Sequence, residues 1–139
     1  MSDHTSFSRE TFAAFRADDR PGPVQMLNLI RLNGEAQYPD GPNGGGREAF
    51  AAYGRISAPV LARLGGRIIW RGGFEQVLIG PRGERWDICF IAEYPSVEAF
   101  AAMFRDPIYR EAMVHRQAAV RDCRLIRLAP AEPGVTFAR

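Results

Sequence analysis

Lysine is missing from this sequence; all eighteen of its basic residues are arginine. That removes Schiff-base chemistry and the P-loop lysine from consideration. Arginine stays protonated, so it clamps anions well and shuttles protons poorly. Histidine is almost as scarce: His4 and His115 cannot build a multi-histidine metal site within one chain, and no metal is implied. Cys89 and Cys123 are the only cysteines. They lie in apolar runs with no CxxC or zinc spacing, so they read as reduced core residues. No apolar run approaches the roughly 20 residues of a membrane span, and MSDHTSFSRE at the start lacks a signal pattern. A cytoplasmic protein without a membrane partner is expected. The net charge is only +2, with arginines interleaved among acids, which disfavours a nucleic-acid partner.

What is present suffices for one α+β domain. A chain of 139 residues buries roughly 70% of its unfolded surface without disulfide or metal. Residues 1–22 read as an N-terminal extension in which Ser8 caps a short helix through Arg16, with Phe12 and Phe15 on one face. The domain proper spans 23–130, and 131–139 is a Pro-containing tail. Val24–Leu32 is the first strong strand. Asn33–Gly46, rich in turn residues, reads as a mobile loop. A helix from about Arg47 to Leu64 follows, stopped by Gly65-Gly66, with Pro59 expected to kink it. Arg67–Ile79 reads as a long strand with a bulge at Gly72-Gly73, joined through the turn Gly80–Glu84 to a strand over Trp86–Tyr94. Ser96 caps a helix through Phe104, Asp106-Pro107 breaks it, and a second piece runs from Ile108 to Ala119. Arg121–Leu128 is the last strand.

The order β-α-β-β-α-β is the ferredoxin-like arrangement, a four-stranded antiparallel sheet with its helices on one face. The strands are apolar on both sides: Met26 and Ile30 oppose Leu27 and Leu29, and Ile88 and Phe90 oppose Cys89 and Ile91. A sheet with a wet second face should alternate apolar with polar. No remaining segment is large enough to cover that face, so a second copy of the chain is the economical cover, closing a dimeric α/β barrel.

Several short motifs carry a resemblance. MLN at Met26–Asn28, Tyr53, Pro59 with Gly65-Gly66, RGG at Arg71–Gly73, WD at Trp86-Asp87, YPS at Tyr94–Ser96, DPIY at Asp106–Tyr109 and HR at His115-Arg116 are together similar to a family known only as a domain of unknown function. That family belongs to the dimeric α/β-barrel superfamily. The likeness covers about Val24 to Leu128 and implies the same fold and a homodimer. It implies no activity, since the superfamily is similar at once to cofactor-free quinol monooxygenases, muconolactone isomerases and haem-dependent decolorising enzymes.

The candidate site residues follow from chemistry. Asn28 is an amide among apolar neighbours on the Met26/Ile30 face, so it needs a backbone partner or a ligand. Tyr109 and Arg116 share one helix face with Ala112 and Met113, while His115 lies toward Ile108 and Glu111. Arg116 either clamps a ligand or pairs with Asp87 or Glu93. Those two acids share the Cys89/Ile91 face, where they could pair across a dimer with Arg71 or Arg31. Trp70, Tyr53, Trp86 and Tyr94 are either core aromatics or walls of an aromatic ligand site.

Three functions are open on these residues. The first is a small-molecule binder using Asn28, Tyr53, Trp70, Tyr109 and Arg116 on an aromatic or carboxylate ligand. The second is a cofactor-independent monooxygenase- or isomerase-like enzyme, with His115 or Asp87 moving the proton. The third is a non-catalytic dimeric module. No cofactor is called for; were haem bound, His115 would be its only credible axial ligand.

Overall fold

The structure is a computed structural model that describes residues 4–138. Its sheet is built around β1 (Val24–Leu32), flanked by β5 (Ile88–Tyr94) and β6 (Val120–Leu128), with β4 (Arg67–Gly72) outside β5. The order β4-β5-β1-β6 is antiparallel throughout, so the fold is α+β and ferredoxin-like.

Register sorts the side chains. Met26, Asn28 and Ile30 lie opposite Ala92, Phe90 and Ile88 on one side and Arg127, Leu125 and Cys123 on the other. This inner face meets the helices and carries the core around Val24, Met26, Tyr94, Phe100 and Tyr109. Leu27 and Leu29 share the outer face with Ile91, Cys89, Ile126 and Arg124.

The helices begin where local chemistry satisfies their free amides. In α2 (Gly46–Arg63), Glu48 Oε1 accepts from the Gly45 amide at 3.1 Å. The next residue must be glycine, because a Cβ at Gly46 would stand 1.9 Å from the Asn33 carbonyl oxygen. The helix continues through Pro59 and stops at Gly65, whose φ is +80°. Ser96 caps α3 (Val97–Met103), accepting from the Ala99 amide at 3.0 Å. Asp106 Oδ1 accepts from Ile108 and Tyr109 to start α4 (Pro107–Ala119), with Pro107 in the first turn where its missing donor costs nothing.

Three segments depart from the sequence expectation. The Asn33–Gly46 loop is instead a hairpin of β2 (Glu35–Tyr38) and β3 (Gly41–Gly45). Backbone pairing and the Glu48 side chain on the Gly45 amide hold its glycine-rich strand, so no side-chain period announces it. The long strand stops at Gly72, and residues 73–87 form no strand. β5 begins only at Ile88, so that stretch has no ladder to join, and Leu78 and Ile79 stay exposed. The bulge falls at Ile68/Trp70 rather than at the glycines. Gly72 is needed for another reason: a Cβ there would meet the Trp70 ring at 2.7 Å.

The N-terminal residues lie against the domain. α1 (Arg9–Ala17) is capped by Ser8 Oγ on the Thr11 amide at 3.1 Å. Its Phe12 and Phe15 pack on the inner-face core. Residues 1–3 and 139, the outermost parts of the expected extension and tail, lie outside the described residues. No helix among the described residues is long and apolar enough to cross a membrane.

Candidate functional site

Between the inner face of the sheet, α4 and the N-terminal segment lies a cavity of about 610 Å³. That is within the size range of small-ligand sites. Asn28 and Met26 from β1, Cys123 and Leu125 from β6, and Tyr53 from α2 form its floor and one side. Tyr109, Met113 and Arg116 descend from α4, and Phe100 and Phe104 close the far end. Residues 4–15 supply the remaining wall through His4, Phe7, Phe12 and Phe15.

The chemistry of this lining is one-sided. Its basic residues are three arginines and His4, and none of its residues is an aspartate or glutamate. Two of the arginines are spent. Arg124 bonds Asp122 at 2.7 Å and lies over the Trp86 ring. Arg127 donates to the carbonyls of Phe15 and Asp18 and covers the Phe15 ring, which fixes the end of α1.

Arg116 is different. It is 9% exposed, and among the described residues no carboxylate lies within ion-pair distance of it. Its side chain has the Cys123 sulfur at 4.0 Å from Nη2 and the Tyr53 ring centred 5.9 Å from Cζ. Burial works against its charge, but the oxygens of Tyr53 and Tyr109 and the Cys123 sulfur outweigh this, and its pKa is raised. A buried cation thus faces an apolar space with no anion beside it.

Two tyrosines stand next to it. Tyr53 and Tyr109 share a hydrogen bond of 2.8 Å between their hydroxyls. Burial, reinforced by Tyr53, pushes the Tyr109 phenol well above its ordinary value. Burial likewise pushes Tyr94 up. Both therefore stay neutral hydroxyls near pH 7. Asn28 Nδ2 donates to the Met26 carbonyl at 3.1 Å, its one hydrogen bond among the described residues.

Of the residues singled out in the sequence, the structure brings Asn28, Tyr53, Tyr109 and Arg116 to this cavity. It places three others elsewhere. His115 points to the β2–β3 hairpin, where Nδ1 meets the Tyr38 hydroxyl at 2.8 Å. Asp87 accepts from the Leu32 amide at 2.7 Å and fastens the end of β5 to β1. Trp70 stands 49% exposed on β4, paired with Ile91 on the outer face. Glu93, also outer, accepts from Gln25 and Arg67, so neither Asp87 nor Glu93 reaches Arg116.

His4 requires a correction. In the sequence it falls in the N-terminal extension, outside the domain proper, but it is tied to β6: its amide donates to Asp122 Oδ1 at 2.8 Å and its carbonyl accepts from the Cys123 amide at 2.7 Å. Cys123 and the phenylalanines of residues 7–15 were likewise not read as cavity residues. Their signal was present in the Phe12/Phe15 spacing, but nothing local says which surface that face covers.

Comparison with known proteins agrees with this picture of the fold. Residues 45–128 match the family model described as a domain of unknown function (DUF1330). A crystal structure of methylated RPA0582 protein superposes with a TM-score of 0.94 at 61% identity, covering 97% of this chain and all of that one. A second structure, RPA0582 from Rhodopseudomonas palustris, a protein of unknown function, gives 0.91 at 60% identity over 95% of this chain and all of that one. A dimeric ferredoxin-like protein of unknown function from Thermobifida fusca gives 0.49 at 15% identity, over 94% of this chain and all of that one. Among curated proteins nothing matches.

Proposed function

Because the chain belongs to the DUF1330 family of unknown function, its role must be read from its own cavity, and we propose that it binds a small organic anion there, a carboxylate on an aromatic or other apolar body. The observation that carries this reading is Arg116, a buried guanidinium without a carboxylate, on the wall of an apolar cavity. A buried cation is costly unless an anion joins it. A carboxylate offers the two coplanar oxygens that a guanidinium fork matches. The phenylalanines from residues 7–15, with Phe100 and Phe104, offer an apolar and aromatic lining for the body of the ligand. The Tyr53 and Tyr109 hydroxyls and the Asn28 amide supply the few polar contacts that fix orientation.

Binding rather than proton transfer is favoured because His115 and Asp87 both face away from this space. The test is a thermal-shift comparison of benzoate with benzamide, which keeps the ring and loses the charge. Stabilisation by benzoate alone, absent in Arg116→Met, supports the reading. Equal shifts from both compounds, or from wild type and variant, refute it.

A homodimer formed through the outer face is the second part of this proposal. That face carries Trp70, Ile126 at 42% exposure and Leu128 in the open, and Arg31 Nε is buried with no hydrogen-bond partner among the described residues. A second sheet packed there would cover the apolar side chains, and each partner would bury roughly 800 Å² in an interface of ordinary size. Light scattering on the purified chain decides it: a monomer mass at micromolar concentration removes the dimer.

A further inference from the structure

We propose that Cys123 is a covalent acceptor within the cavity, its sulfur adding to an electrophilic carboxylate of the α,β-unsaturated class that Arg116 holds in place. The inference rests on the anion-binding reading above and adds a reaction to it. Three observations meet at this residue. Cys123 is on the inner face opposite Ile30 and lines the cavity. Its Sγ accepts from Arg116 Nη2 at 4.0 Å. Arg116 itself is 9% exposed, aimed into the cavity and without a carboxylate among the described residues.

The two cysteines are therefore not equivalent. Cys89 is on the outer face opposite Leu29, away from the cavity, and burial pushes its thiol up. An inert core thiol looks like that. Cys123 is as buried, but it lies beside a cation and lines a ligand-sized space.

The spacing permits addition at the β-carbon. A carboxylate oxygen sits about 2.8 Å from a guanidinium nitrogen in a charge-assisted bond, and the β-carbon is two bonds beyond the carboxyl carbon. That reach exceeds the 4.0 Å between Nη2 and the sulfur, so the ligand meets the sulfur by lying alongside the guanidinium rather than between the two. In the step, the S–C bond forms and the C=C π bond breaks. The electron pair moves to the α-carbon, which takes a proton from water, while the thiol proton is released to water. The sum is S–H added across C=C, with no oxidant or reductant.

Iodoacetate and iodoacetamide share a leaving group and differ in charge, so their alkylation rates test the arrangement. The full-length Cys89→Ser chain leaves one thiol, and intact mass with peptide mapping follows its labelling. The expected result is labelling of Cys123 in the folded protein, faster with iodoacetate, and slowed by benzoate with either reagent. Arg116→Gln should lower the iodoacetate-to-iodoacetamide rate ratio by tenfold or more. Acrylate should add one equivalent to the same sulfur. A Cys123 that labels only in urea overturns the proposal, as does a rate ratio unchanged by Arg116→Gln. Should that variant not fold, benzoate protection in the Cys89→Ser chain decides alone, and its absence overturns the proposal. A wild-type thermal shift with benzoate but no labelling sinks only the covalent step; neither shift nor labelling sinks the binding site as well.

Discussion

Replacing Arg116 with methionine separates a ligand clamp from a structural strut by the sign of the stability change. Methionine retains much of the apolar stem and removes the charge. Without ligand, the guanidinium has the Tyr53 ring at 5.9 Å and the Cys123 sulfur at 4.0 Å. Losing the ring contact costs about 1 kcal/mol. Relief from burying a cation that has no carboxylate works the other way and is worth several kcal/mol. The free variant should therefore be as stable as wild type or more so, by about 1–3 kcal/mol.

With ligand the order reverses. Losing a buried charge-assisted contact costs about 2–5 kcal/mol of binding. Benzoate at one hundred times its wild-type Kd should stabilise wild type by about 2.7 kcal/mol, and a variant weakened a hundredfold by only about 0.4 kcal/mol. Urea unfolding at pH 7, with and without benzoate, measures both quantities. A loss above about 3 kcal/mol in the ligand-free variant would mean that Arg116 braces the fold. Undiminished stabilisation by benzoate would mean that the anion binds elsewhere.

Other consequences concern the surroundings of the cavity. Phe12→Ala, at a half-buried ring stacked between Phe7 and Phe15 and edge-on to Phe104, should cost about 2 kcal/mol in urea unfolding and weaken benzoate binding. Asp122→Ala should loosen the His4 anchor and speed trypsin cleavage after Arg9 and Arg16; an unchanged digestion rate would show that the aromatic contacts suffice. The same anchor sets a pH dependence: burial raises the Asp122 pKa, but bonds from the His4 amide and Arg124 outweigh this and hold it below its ordinary 3.8. Its contribution is complete above that value and disappears as pH falls through the lower folded value, so Asp122→Asn should flatten acid unfolding in that range. Ile126→Glu on the outer face should shift the mass in light scattering from dimer to monomer while the far-ultraviolet circular dichroism is kept.

What could be read from the sequence had a local cause. Ser8, Ser96 and Asp106 announce helix starts because a side-chain oxygen next to free amides is a short-range interaction. The helical spacing of Tyr109 and Arg116 puts both on one face of α4 and turns His115 away, which is geometry internal to one helix. Long-range facts were hidden. The β2–β3 hairpin depends on Gly46 meeting the Asn33 backbone, and residues 73–79 fail as a strand only because β5 starts late. His4 becomes a wall residue through two hydrogen bonds to β6, more than a hundred positions away. Tyr53 and Arg116 were legible as candidates, whereas the space they face was not, since it forms only when residues 4–15 close over the sheet.

The size of that space argues for an occupant. At about 610 Å³ it is partly open to solvent and within the size range of small-ligand sites. Large side chains already line it, so repacking would have been the easy remedy, and a leucine at position 116 would have served that end better than arginine. A guanidinium instead presents five donors to the space, suited to an anion's oxygens. In the proposed complex a carboxylate meets that fork and an apolar body fills the remainder. On the proposed reading, the cation and the aromatic wall from residues 7–15 meet the ligand from opposite ends, and losing either should weaken binding more than it weakens the fold.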